Sequence, residues 1–166
     1  MTKNVIWTTL FAAAAGILQS TLLSPLAIHF YAKPDIALDI LVFSAYVNGV
    51  MTGQLSGFFS GLLLDFLSNA PLGLNMFVRT VIGALSGLLN GAFFLDRIAL
   101  PVFLCAGATL LKAGLLFTLN FLFAGAVPAY SLNSPVLWVE LAMNSLLAPL
   151  IFLLLNMFND LVSKIR

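Results

Sequence analysis

Residues 53–91 read GQLSGFFSGLLLDFLSNAPLGLNMFVRTVIGALSGLLNG. Two apolar runs flank Ser68-Asn69-Ala70-Pro71-Leu72-Gly73, a stretch with turn chemistry. Small residues recur along one helical face of each run: Gly53, Ser56, Gly57, Ser60 and Gly61 before the turn, then Gly83, Ser86, Gly87, Asn90 and Gly91 after it. In water each such glycine would cost a helix about 1 kcal/mol against alanine. In a bilayer they let two backbones approach until van der Waals contact replaces the missing hydrophobic drive. An acid, Asp65, closes the first run and a base, Arg79, opens the second. The stretch therefore predicts a membrane hairpin with an Asp65–Arg79 ion pair near its turn.

Composition supports that class. Of 166 residues, 61% are hydrophobic and 8% charged, and the mean hydropathy is +1.10. A soluble domain carries about 25% charged residues, so too little polar side chain is present to cover a water-facing surface. The net charge of +1 argues against a nucleic-acid partner. One cysteine, Cys105, and one histidine, His29, exclude a disulfide framework and a zinc cluster. Cys105 reads as a buried spectator and His29 as a membrane-boundary residue. No Gly-x-Ser-x-Gly elbow, His-Glu-x-x-His pair or phosphate-binding glycine loop occurs. No enzyme, cofactor or metal is expected.

Outward from the hairpin, the chain divides into six apolar spans. The first, about 5–28, follows Lys3 and is too long for a signal-peptide core of roughly 7–15 residues. Ala12, Gly16 and Ser20 give it a packing face, and Pro25 kinks or ends it. Residues 36–67 would make one helix of about 48 Å, against a hydrocarbon core near 30 Å. A break at 48–53 is required, giving short spans at 36–51 and 53–67. The remaining spans are 74–95, 98–123 and 135–158, with Asp96-Arg97 after the fourth and a polar tail from 159. Six spans place Lys3, Arg97, Lys164 and Arg166 on one side, with Lys33 and Arg79 towards the other. Basic residues favour the cytoplasm, so both termini are expected there.

Charges inside spans cost about 2.5–3.5 kcal/mol at a helix centre, so they pair or face a cavity. Lys112 either meets Glu140 on the neighbouring span or faces a water-filled pocket. Asp39 reads as stabilised by the dipole at the start of its helix. Glu140, Asn144 and Ala148, at four-residue spacing, form a polar stripe on the last span that reads as helix-to-helix glue rather than a transport path. Trp7, Tyr31, Tyr130 and Trp138 fall near span ends, as an interfacial aromatic belt requires.

Six short spans, the Pro34-Asp35 entry to the second, Gly57-Phe58, and Gly61-Leu62-Leu63-Leu64-Asp65 followed by Pro71-Leu72-Gly73 together resemble the MreD family of bacterial rod shape-determining membrane proteins. The resemblance implies an all-α protein of the bacterial cytoplasmic membrane that works with MreC. Through that assembly it would connect to MreB filaments, to RodA and to a class B penicillin-binding protein. It further implies a fold similar to the S components of energy-coupling-factor transporters. Two functions follow as expectations. One is a non-enzymatic scaffold whose faces at Gly53, Gly57, Gly61, Gly83, Gly87 and Gly91 pack helices or receive a partner helix. The other is a vitamin-type binding subunit with a cavity lined by Asp39, Lys112, Glu140 and Asn144.

Overall fold

The long apolar run at 36–67 breaks at Gly49, whose backbone lies at φ 86°, ψ −179°, a region that side-chain-bearing residues avoid. Its N–H still donates to the Ala45 carbonyl at 2.8 Å, and its own carbonyl accepts from Gly53 N at 3.0 Å. One residue thus closes one helix and opens the next. The computed structural model describes residues 2–22, 32–68, 70–92, 98–123, 127–128, 130 and 135–158. These form six helices and no strands: α1 (Thr2–Leu22), α2 (Ile36–Asn48), α3 (Val50–Leu67), α4 (Leu74–Leu88), α5 (Ala99–Leu122) and α6 (Pro135–Met157).

α2 is the axis of the bundle and packs against all the others. Ala37, Leu38, Leu41, Val42, Phe43 and Ala45 are buried on every side of it, as befits a helix that is apolar all round. Asn4 Nδ2 donates to Asn48 Oδ1 at 2.6 Å, and Thr8 and Ser44 share a hydroxyl bond at 2.7 Å, which fixes α1 antiparallel to α2. Phe43 meets Phe152 edge-on at 5.0 Å, seating α6 on the same core.

The small-residue faces of α3 and α4 close on each other. A Cβ at Gly53 would strike the Gly83 carbonyl, and one at Gly83 the Gly53 carbonyl. One at Gly57 would lie 2.7 Å from the Arg79 carbonyl carbon, one at Gly61 2.5 Å from Met76 Cα, and one at Gly87 2.6 Å from Val50 Cα. These five glycines are therefore consumed inside the hairpin, and the surface expected to receive a partner there is already filled by α4. Gly91 belongs to neither face. It turns the chain after α4 at φ 71°, with open space where its Cβ would be.

Three helices, α3, α5 and α6, are long and apolar enough to cross a membrane, whereas α2 and α4 are shorter apolar helices. α5 and α6 end within a residue of the expected spans. The spans expected at 36–51 and 53–67 instead meet at Gly49. α4 stops at Leu88, because Leu89 N turns back to Ser86 O and Ala92 N to Leu89 O, tightening the helix into turns; residues 93–95 lie outside the described set. So do residues 23–28 of the first expected span with Pro25, and His29, Tyr31, Asp96, Arg97 and the tail. Polar side chains share the interior with the apolar core, and large apolar ones face outward. Asp39, Thr109 and Asn144 are fully buried, while Phe121 and Leu146 are about 80% exposed, the pattern expected where the surroundings are hydrocarbon.

Candidate functional site

Asp35 follows Pro34 and caps α2, its Oδ1 accepting from Leu38 N at 3.1 Å, a role for which aspartate is favoured. The same carboxylate gathers two cations. Arg79 Nη2 of α4 donates to Oδ1 at 2.6 Å, and Lys112 Nζ of α5 donates to Oδ2 at 2.7 Å. Its backbone N–H donates to Asn144 Oδ1 of α6 at 2.7 Å. Burial alone would raise this carboxyl, but the Arg79 guanidinium and then the Lys112 ammonium hold it well below the usual carboxylate range.

Lys112 also donates to Glu140 Oε1 at 2.8 Å. The other Glu140 oxygen accepts from the Tyr130 hydroxyl, whose ionisation burial pushes up. Tyr130, read from the sequence as a belt residue, is thus tied to the interior. Asn144 Nδ2 donates to Thr109 Oγ1 at 3.0 Å. The polar stripe of α6 faces inward, and its two polar members bond α2, α5 and the loop before α6.

The expected Asp65–Arg79 pair is replaced by two separate arrangements. Arg79 turns to Asp35. Asp65 accepts from Gly73 N at 2.9 Å, Asn75 N at 2.9 Å, Asn75 Nδ2 at 3.0 Å and Met76 N at 3.1 Å. Those backbone donors open α4 and have no partner within the helix, so a carboxylate from the preceding helix supplies them and complements the helix dipole. The turn is short enough for that reach, and it leaves the guanidinium free for the other acid. Asp39 stands in the first turn of α2, where the dipole reading needs it, while Asp35 is the cap. Asp39 is fully buried, and neither of its carboxylate oxygens has a hydrogen-bond partner among the described residues; the same holds for Arg79 Nη1. The Cys105 thiol of α5 lies beside Asp39.

Two apolar grooves lie away from these charges. One of about 940 Å³ runs between α2, α6 and the start of α5, past Phe43, Tyr46, Pro101, Pro149 and Phe152. The other, about 620 Å³, runs between α4 and α5 past Leu85, Ser86, Phe103 and Gly107. Among the described residues no cluster of His, Cys, Asp and Glu could hold a metal. The network cross-links helices; none of its members is arranged as a nucleophile with a base.

The family model for MreD, rod shape-determining protein MreD, matches residues 1–158. No curated protein and no solved structure matches the chain.

Proposed function

Because this chain belongs to the MreD family of rod shape-determining proteins, we propose that it is a non-enzymatic membrane scaffold of the cell-elongation machinery. It works with MreC to sustain lateral peptidoglycan synthesis, and MreB, RodA and a class B penicillin-binding protein are its indirect partners. One observation carries this reading. Three of the four interior groups that a carrier would offer to cargo are engaged within the chain, Lys112 and Glu140 in an ion pair and Asn144 with Thr109 and the Asp35 backbone. A ligand-binding subunit needs a concave site with convergent polar groups left available, and the two grooves are apolar.

All six helices then cross or enter the cytoplasmic membrane, with the short α2 and α4 shielded by their neighbours, in an arrangement like that of the transporter S components. With Arg79 buried in an ion pair, Lys33 is left against Lys3, Arg97, Lys164 and Arg166, which favours both termini in the cytoplasm. Since the glycine faces are filled within the chain, the partner helix contacts the outward apolar faces.

Crosslinking in cells followed by purification should enrich MreC, and depletion should round the cells. No MreC enrichment from membranes holding normal levels of this protein would overturn the proposal. Impaired uptake of a vitamin, with cell shape intact, would put the binding-subunit reading in its place.

A further inference from the structure

α5 and α6 pack mainly on each other and meet the rest of the bundle through α2 and α4. Both grooves follow that seam, one where α6 and α5 meet α2, the other where α5 meets α4. Apolar packing across it is incomplete on both sides, and polar bonding is concentrated at Asp35, which holds Lys112 of α5 and Asn144 of α6. One turn further along α2 stands Asp39, buried in the same seam beside Cys105, with both oxygens unbonded. Side chains on a helix lean towards its N-terminus. Cys105 lies two turns N-terminal of Lys112 on α5, so Asp39 stands on the side towards which a lysine at 112 reaches back along its helix. Asp35 and Glu140 both hold this ammonium, and Asp39 stands one turn along α2 from the first of them.

We propose that Asp35 and Asp39 are alternative seats for the Lys112 ammonium, and that the exchange is a latch on the α5–α6 hairpin. On Asp35, the seat observed, the ammonium also holds Glu140 and so bridges α2 to α6. On Asp39 it leaves Glu140, and that bridge is gone. The vacated Asp35 Oδ2 then accepts from Arg79 Nη1, completing a two-pronged guanidinium–carboxylate pair of the strong bidentate kind. Both sets of unbonded atoms on this face, the Asp39 oxygens and Arg79 Nη1, acquire partners in the second state. A step of one helical turn between two discrete bonding patterns is a known form of molecular switch. Here it loosens the seam along which both grooves run.

Cys105, the one cysteine of the chain, is fully buried in that seam and serves as a built-in reporter. Its reaction rate with N-ethylmaleimide in native membranes reads seam opening. Asp39→Asn removes the second seat, so labelling should slow about tenfold, the factor that 1.4 kcal/mol represents. The melting temperature should not fall, because the lost carboxylate bonds nothing in the latched state. Removing a carboxylate beside a thiol would by itself favour the thiolate and speed the reaction, so slowing is specific to the latch. Asp35→Asn should speed labelling, and adding Asp39→Asn to it should lower the melting temperature far more than Asp39→Asn does in the wild-type chain. If Asp35→Asn fails to fold, the comparison of wild type with Asp39→Asn decides alone. Labelling of Asp39→Asn at or above the wild-type rate, or a lower melting temperature, would overturn the proposal.

Discussion

Replacing Asp65 by alanine takes one acceptor group away from four donors at the start of α4. Loss of a helix cap costs about 0.5–2 kcal/mol, and Asp65→Ala should show a loss of that size in detergent melts. Asp65→Asn keeps a carbonyl oxygen in place and should lose less; equal losses would mean that capping is not its contribution. At Arg79 the expected partner is Asp35. In double-mutant cycles Asp35→Ala and Arg79→Ala should couple by more than about 1 kcal/mol, because removing one member strands a buried charge. Asp65→Ala and Arg79→Ala should add. The pH dependence follows from the lowered Asp35 carboxyl: its stabilisation is complete above its unfolded value near 3.9 and is lost as pH falls towards its folded one. Melts from about pH 5 to 8 should therefore carry no slope from Asp35. The sequence marks Arg79 as needing an acid, yet its partner lies 44 residues upstream. Spacing rules reach only neighbours three or four residues apart on a helix, so the nearer Asp65 was the natural choice. Pro34-Asp35 before an apolar run was the available signal, since it marks a cap. Nothing in one sequence reveals that a cap also collects two cations.

The α3–α4 hairpin is held by approach of backbone to backbone, and its glycines should tolerate no added carbon. Gly57→Ala places Cβ against the Arg79 and Thr80 backbone, which cannot yield as a flexible side chain does. A loss of about 1–3 kcal/mol is expected for such overpacking. Gly107→Ala, on an open face of α5, should leave the melting temperature unchanged or raise it, because alanine is the better helix former, and so serves as the control. A comparable loss at Gly107 would show that the loss at Gly57 does not report backbone contact. The hairpin was legible because small residues at four-residue spacing have few other uses in an apolar helix. The break in 36–67 was legible from length alone, although the helix ends moved to Gly49, where backbone conformation decides. α4 was expected too long because hydropathy continues past Leu88, while the tightened turns and Gly91 at positive φ end the helix independently of apolarity.

At the scale of the molecule, the scaffold and the carrier differ in whether water reaches the interior. Thr109 sits against Asn144 and has no exposed surface, so a cysteine there would stand on the wall of the cavity that a carrier requires. In a chain with Cys105→Ser, Thr109→Cys should resist a charged, membrane-impermeant thiol reagent added to either face of the membrane. Pro71→Cys, in the exposed turn between α3 and α4, should react from the outer face only, since three spans, an odd number, separate that turn from each cytoplasmic terminus. Reaction at position 71 from the cytoplasmic face would remove the six-span topology and leave a chain in which 36–67 does not form a hairpin. Fast reaction at position 109 from outside, slowed by a small molecule present in the growth medium, would mean a water-filled binding site among Lys112, Glu140 and Asn144. Protection at 109 together with outer-face reaction at 71 fits a closed bundle. In such a bundle the buried charges join helices to one another, and only the lipid-facing surface is left to meet a partner.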